Sequence, residues 1–198
     1  MGFGAKVKGF LGSPTSTFSR VKQDTLGDAV KYILIWIPIY GVLLSLIFLA
    51  TFDVIAGMYG MSGVLLPLLT WLHGMGFLIV PIIIGYTIVG GIVGLFVGGA
   101  WTHLWVYLLG GREGFTQTFK AVAYGATPSY AFGWIPFVGL IAGPIWALVL
   151  NIIGIRELHG ITTGRAVGAY LLAVFIPGVV IAFIIVLIII MRVAVLFG

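Results

Sequence analysis

The sequence contains 198 residues, of which 61% are hydrophobic and only 8% are charged. Because water-soluble domains carry about 25% charged residues, this composition excludes an ordinary soluble domain and predicts an all-α protein that crosses a membrane several times. The absence of cysteine excludes disulfides, thiolate metal sites and cysteine nucleophiles, and the formal net charge of +5 is less informative than the positions of the lysines and arginines along the chain.

Residues 1–28 are predicted to form a cytoplasmic, amphipathic N-terminal segment. Phe3 and Phe10 recur at helical spacing with lysines between them, a pattern typical of a short basic helix that lies on anionic lipid headgroups. A frayed tail is the alternative interpretation. Ser13 followed by Pro14 predicts a second helix, with the serine as N-cap and the proline at the first helical position.

Residues 29–198 are predicted to form a bundle of five transmembrane helices. A crossing needs about 20 apolar residues, and the apolar run at 77–109 exceeds this, since it would extend roughly 50 Å as a helix. We interpret it as one protruding helix rather than two. Thr25 and Asp28 resemble a capping box at the start of the first span, and a short helix at 64–72 is expected in the loop that follows. The predicted spans are residues 29–52, 77–109, 115–132, 137–155 and 166–191.

The basic residues predict the orientation of this bundle. With the N-terminus in the cytoplasm, the basic residues that fall on or near the cytoplasmic side are Lys6, Lys8, Arg20, Lys22, Arg112, Lys120, Arg156 and Arg165. Lys31 lies at the border, only Arg192 falls on the far side, and the connections at 53–76 and 133–136 contain no Lys or Arg. The positive-inside rule therefore predicts a cytoplasmic N-terminus and an outside C-terminus. We expect a multi-pass integral membrane protein, in the plasma membrane if the source is prokaryotic.

Glycines in the second predicted span indicate close helix packing. Gly90, Gly94 and Gly98 recur at every fourth position, with Gly91 and Gly99 beside them. Such a row forms a smooth groove along one helix face, which another backbone can approach closely. We favour packing within the chain, and the alternative is the seam of a homo-oligomer.

The third predicted span is short and unusually polar. Tyr124, Thr127 and Tyr130 follow one another at intervals of three and therefore share roughly one helix face. These side chains either line a path for a substrate or seal the bundle by hydrogen bonds between helices. We favour the second interpretation.

Glu157 and His159, which follow the fourth span, raise the question of metal binding or acid–base catalysis. Two potential ligands do not make a metal site, and no Asp or Glu lies deep in any predicted span to complete one. We therefore interpret Arg156 and Glu157 as a charged pair in a turn at the membrane surface. The sequence predicts no enzyme, no metal and no cofactor.

The order and spacing of several motifs resemble the Yip-domain family of five-span membrane proteins. The motifs are Thr118-Phe119-Lys120-Ala121, Ala123-Tyr124-Gly125 with Pro128, Ile135-Pro136-Phe137-Val138-Gly139, Trp146, Ile152-Ile153-Gly154-Ile155-Arg156, and His159-Gly160 with Thr163-Gly164-Arg165-Ala166. The resemblance implies five helices with a cytoplasmic N-terminus. Eukaryotic members act in early secretory trafficking and bind prenylated Rab-type GTPases, which implies a GTPase-type partner. The compact chain resembles the bacterial and archaeal members.

Three functions are compatible with these patterns. The first is a non-enzymatic protein that organises membrane or recruits a protein or lipid partner through charge-assisted contacts of its cytoplasmic loops. The residues predicted for this contact are Arg112, Glu113, Lys120, Arg156, Glu157, His159 and Arg165. The second is a transporter or channel for small solutes or ions, lined by the third span, which needs a water-filled cavity at Tyr124 or Thr127. The third is an intramembrane enzyme that uses His103 or His159 with another titrating group. We expect membrane lipids as partners and no nucleic acid.

Overall fold

A computed structural model describes residues 1–58, 65–136 and 138–197, and these residues contain helices and no strand. In chain order the α-helices are α1 (Phe3–Gly12), α2 (Pro14–Arg20), α3 (Leu26–Met58), α4 (Leu65–Gly74), α5 (Ile79–Leu108), α6 (Phe115–Gly125), α7 (Thr127–Phe132), α8 (Val138–His159) and α9 (Thr163–Phe197). Short 3-10 helices precede α3 and α5 at Val21–Gln23 and Gly76–Leu78. The predicted all-α class is confirmed for the part of the chain that the structure describes.

In the part of the chain that the structure describes, four helical segments are long and apolar enough to cross a membrane: Leu26–Val54, Gly76–Leu108, Ile141–His159 and Thr163–Ile188. They correspond to the first, second, fourth and fifth predicted spans. The second is one continuous helix, as expected, and at 30 residues α5 is about 45 Å long. The chain is therefore a multi-pass membrane protein.

The third predicted span is two short helices, α6 and α7, which meet at Ala126. Pro128 lies at the start of α7, and a proline has no N–H to continue the ladder of the preceding helix. Buried residues occupy most of α6 from Thr118 to Gly125. This short helix packs against α3, α5 and α8 and therefore forms the centre of the bundle.

The helix termini that carry charged residues lie together at one end of the bundle. Thr118 near the start of α6 hydrogen-bonds both His103 near the end of α5 and His159 at the end of α8, and Gly110 after α5 lies beside Arg165 in the first turn of α9. Gly110 has a φ of 99°, a left-handed conformation that ends the helix and that a side chain would strain. We call this part of the molecule the charged end.

The N-terminal segment packs onto the bundle instead of lying apart from it. Phe10 of α1 and Phe18 of α2 are fully buried, and α2 contacts α8. The segment is therefore a docked helical pair and not a frayed tail, and a contact of its exposed face with lipid headgroups stays a prediction. Ser13 and Pro14 take the expected N-cap and first helical positions of α2.

The capping box predicted at the start of the first span is present. The Asp28 carboxylate accepts a hydrogen bond from the Thr25 backbone N–H at 2.9 Å, and the Asp28 N–H donates to the Thr25 hydroxyl at 3.2 Å. These reciprocal bonds satisfy two of the N–H groups that a helix start leaves free. They fix the point at which α3 leaves the charged end.

The glycines of α5 that pack against other helices are not the three that the spacing predicted. A Cβ at Gly90, Gly94 or Gly98 would meet no atom within 4 Å among the described residues. Gly91 instead faces Ile37 of α3, and Gly99 faces Phe119 of α6. Packing within the chain is thus carried by Gly91 and Gly99, because successive helix positions point about 100° apart and a shift of one changes the face.

Candidate functional site

Lys120, predicted to bind a partner, lies inside the charged end. It is fully buried, and its Nζ donates to the backbone oxygens of Val21 at 3.2 Å, Lys22 at 2.8 Å and Asp24 at 2.8 Å. A buried ammonium has three N–H groups to place, and these three carbonyls use all of them. Lys120 therefore holds the N-terminal segment against α6. It does not lie on the surface, where a partner contact was predicted for it.

A second buried lysine joins α1 to α6. Lys6 Nζ lies 2.5 Å from the Asp24 carboxylate and 3.0 Å from Tyr124 Oη. Tyr124 Oη donates to the same carboxylate oxygen at 2.5 Å, so the three groups form a closed triangle. An ion pair out of water is stabilising only when further hydrogen bonds satisfy its atoms, and the tyrosine supplies them here.

Aromatic rings pack against this triangle and shield it from most of the surrounding water. The Phe10 ring stacks on Tyr124 at 5.1 Å between centroids and contacts Phe18 at 4.8 Å. Tyr32 meets Tyr124 edge-to-face at 5.1 Å, a geometry favoured by ring quadrupoles. The sequence showed the phenylalanine spacing of α1, but it did not show that the partner rings lie on α3 and α6.

The predicted polar lining of the third span is mostly used for hydrogen bonds between helices. Thr127 is fully buried and donates to the Tyr124 backbone oxygen at 2.5 Å. Because a threonine has one hydroxyl proton, Tyr32 must donate the 2.8 Å bond that links it to Thr127. Tyr130 lies elsewhere: its ring stacks on Trp36 at 6.1 Å between centroids, and with Tyr40 it lines a separate cleft of about 230 Å³.

Two histidines that are far apart in sequence meet at one threonine. Thr118 Oγ1 lies 2.8 Å from His103 Nδ1 and 2.9 Å from His159 Nε2. Since the hydroxyl has a single proton, one imidazole accepts from Thr118 and the other donates to it. His159 is buried, which corrects its predicted place on the partner surface. Sequence reasoning singled out each histidine but not the threonine that links them.

The remaining charges of the predicted surface are accessible. Arg112, Glu113 and Arg165 are exposed. The Arg112 guanidinium lies 3.7 Å from the Tyr107 ring centroid and donates to the Tyr107 backbone oxygen at 2.7 Å, which holds it flat against the end of α5. Arg112 and Glu113 lie in the connection that follows α5, and Arg165 lies in the first turn of α9.

Arg156 and Glu157 form the predicted charged pair, but they lie in the last turn of α8 and not in a turn between helices. Arg156 donates to Glu157 Oε1 from Nε at 2.9 Å and from Nη2 at 2.7 Å. The pair is half-buried, and it also reaches α2 through Ser19 at 3.4 Å and Thr15 at 3.5 Å. Its contacts therefore tie α8 to the N-terminal segment.

The charged end thus has a buried layer and an exposed layer. Lys6, Lys120 and His159 bind groups of the chain itself, whereas Arg112 and Arg165 reach the surface. Among the residues that the structure describes, no group of three or more His, Asp or Glu side chains is arranged to hold a metal ion.

Comparison with known proteins identifies a family. The family model described as the Yip1 domain matches residues 8–189 of the chain, which include Lys120, His159, Arg112 and Arg165 of the charged end and all four candidate membrane spans, whereas Lys6 precedes the match. No curated protein and no solved structure matched the chain.

Proposed function

Since this chain belongs to the Yip1 domain family, we propose that it is a non-enzymatic integral membrane protein that recruits a partner through its charged end. The observation that carries the proposal is the exposure of Arg112, Glu113 and Arg165 at the end of the bundle where Lys6 and Lys120 are buried and bound within the chain. Exposed guanidinium groups suit carboxylates on a protein or phosphates on a lipid. The family implies a GTPase of the Rab type as the protein partner, bound at the cytoplasmic side.

The proposal includes a fifth membrane crossing formed by α6 and α7 together. Thr118 at the start of α6 contacts His159 at the end of α8, and Phe132 at the end of α7 stacks on Trp146 at 5.7 Å. These contacts support an antiparallel path of α6–α7 beside α8. Residues 115–132 extend about 27 Å as helix, close to the thickness of about 30 Å of the hydrocarbon core. With five crossings the C-terminus lies outside, and the basic charged end is cytoplasmic.

Single cysteines test the number of crossings, because the natural chain contains none. Glu113→Cys marks the charged end and Pro136→Cys marks the connection before α8, and both positions are exposed. With a membrane-impermeant maleimide, we expect Glu113→Cys to react only from the cytoplasmic side and Pro136→Cys only from the other side. Reaction of both cysteines from the same side contradicts the fifth crossing.

Recruitment is tested by removing the exposed arginines. The Arg112→Gln, Arg165→Gln double variant is compared with the wild type and with Lys8→Gln, Lys31→Gln, which removes two exposed charges elsewhere. Each protein is crosslinked in native membranes and isolated, and its bound proteins and lipids are identified by mass spectrometry. We expect one species to be lost from the arginine variant and retained by the control. Identical sets of species from all three proteins exclude the proposed surface.

A further inference from the structure

A cleft between α6, α7, α8 and α9 lies outside the charged end. Its volume is about 410 Å³, within the range of about 300–1,000 Å³ that is usual for small-molecule sites. Its wall is formed by Val122, Ala126, Ser129, Pro144, Ile145, Ala147, Leu148, Asn151, Tyr170 and Val174. Ile145 and Val174 are exposed and belong to helices long enough to span a membrane. The cleft therefore opens toward hydrocarbon.

One buried polar group on this wall has an unused hydrogen-bonding atom. Asn151 is 3% exposed, and its Nδ2 donates to the Ala147 backbone oxygen at 2.7 Å. Its Oδ1 is buried and has no partner among the described residues. A buried acceptor without a donor is costly and rare in native proteins. Ser129 and Tyr170 bring further hydroxyl groups to the same wall.

The chemistry of the wall selects the ligand. Its residues carry no charge, so a charged group would lose its hydration without gaining a partner. Most of them are aliphatic, and an apolar cavity is a poor site for water, which needs two to four polar partners. An uncharged amphiphile satisfies both conditions, since its chain covers the aliphatic wall and one donor reaches the asparagine.

The depth of Asn151 agrees with a lipid that enters from the membrane. Asn151 precedes His159 by two turns of α8, about 12 Å along the helix axis from the charged end. This level lies just inside the hydrocarbon, beneath the headgroups. A lipid whose polar end is a single hydroxyl can place that hydroxyl there, whereas a phosphate headgroup stays at the surface.

We propose that this cleft binds a neutral membrane lipid with a free hydroxyl, of the diacylglycerol class. The Asn151 carboxamide, which lies against Gly125, turns toward the cleft as the lipid enters, and the lipid hydroxyl then donates to Asn151 Oδ1. One acyl chain packs against Val122, Ala126 and Leu148 and leaves the cleft past Ile145. The site is independent of the exposed arginines, so it stands or falls separately from the recruiting function.

Photolabelling of the purified full chain in lipid nanodiscs tests the site. The probes are a diazirine-bearing diacylglycerol and its O-methyl ether, which has the same chains but no donor. We expect the free hydroxyl to label α8 and α9 about three to ten times more efficiently than the ether, as for one net hydrogen bond. In Asn151→Leu, the two probes should label equally.

A filled cleft provides a second test. Ala126→Phe places a ring in the cavity, and the matched control Ala100→Phe adds the same ring at an exposed position of α5. We expect labelling to be lost in the first variant and unchanged in the second. Equal labelling of the wild type by both probes would indicate a nonspecific hydrocarbon groove, and no labelling of the cleft would indicate a dry or water-filled cavity. Either result overturns the proposal. If Ala126→Phe does not fold, the comparison of the two probes on Asn151→Leu tests the proposal instead.

Discussion

Lys6 and Tyr124 are 118 positions apart in the sequence, yet Lys6 Nζ lies 3.0 Å from Tyr124 Oη, and both bind the Asp24 carboxylate. One atom of the carboxylate therefore joins α1, the linker before α3, and α6. Since the cluster is buried beneath aromatic rings, it stabilises one arrangement of the N-terminal segment. Removing a single member leaves the others with unpaired polar groups.

Replacing Lys6 tests this dependence. Lys6→Met should destabilise the protein by about 3 kcal/mol, because the Asp24 carboxylate would remain largely buried without its cation. The control is Lys8→Met, which removes an exposed lysine of the same helix and should change stability by less than about 0.5 kcal/mol. Unfolding of purified protein in a mild detergent, followed by tryptophan fluorescence, measures both. Equal stabilities of the two variants would contradict a structural role for the triangle.

Lys120 and Arg165 should separate stability from recruitment. Lys120→Gln removes charge-assisted hydrogen bonds from a buried ammonium to three backbone carbonyls and should cost about 2–3 kcal/mol. Arg165→Gln changes an exposed side chain and should leave the unfolding midpoint within about 0.5 kcal/mol of wild type while weakening recruitment. Thermal unfolding and the crosslinking assay are run on the same preparations. A stable Lys120→Gln protein would mean that the three-carbonyl contact contributes little.

Thr118 offers a test of the histidine bridge. Thr118→Val keeps the side-chain shape but removes the hydroxyl between His103 and His159, which leaves two imidazole nitrogens without a partner. We expect a loss of about 1–3 kcal/mol. Thr118→Ser retains the hydroxyl and should recover most of this loss. Chemical unfolding curves of the three proteins decide, and similar losses in the valine and serine variants would assign the effect to the methyl group.

The two glycine faces of α5 should respond differently to the same substitution. A Cβ at Gly91 would lie 3.0 Å from Ile37, whereas one at Gly94 would meet nothing within 4 Å among the described residues. Gly91→Leu should therefore separate α3 from α5 and cost about 1–3 kcal/mol through overpacking. Gly94→Leu should be tolerated by the monomer. If Gly94→Leu instead changes the oligomer size in native mass spectrometry, the outward glycine row is a contact between copies of the chain.

The local features were predictable because their causes are local. Hydropathy alone locates the helices that can span a membrane, and the Thr25–Asp28 box and the Ser13–Pro14 start are read from neighbouring residues. Thr127 followed by Pro128 also contains a signal for the break at Ala126, since a residue before proline disfavours the helical conformation. The number of crossings remains a prediction, because a break does not say whether the two halves continue along one path.

The position of the charges was not predictable from neighbouring residues. A lysine on a basic segment is normally exposed, and the groups that bury Lys6 and Lys120 lie about a hundred positions away in the sequence. The glycine row shows the same limit on a smaller scale, because its spacing is visible in the sequence but its facing partner is set by how α3 and α6 pack. Positive charge grouped these residues at one end of the molecule and did not distinguish its interior from its surface.

The triangle also has a consequence for biosynthesis. Asp24 and its hydrogen-bond donor Tyr124 are 100 positions apart, so at about 5–20 residues per second the tyrosine is synthesised about 5–20 s after the aspartate. During that interval α1 and α2 cannot yet pack against α6, and the adjoining membrane surface can cover their apolar faces. The N-terminal segment is therefore synthesised before α6 but docks only after α6 is in place. A docked segment indicates that the centre of the bundle has been inserted.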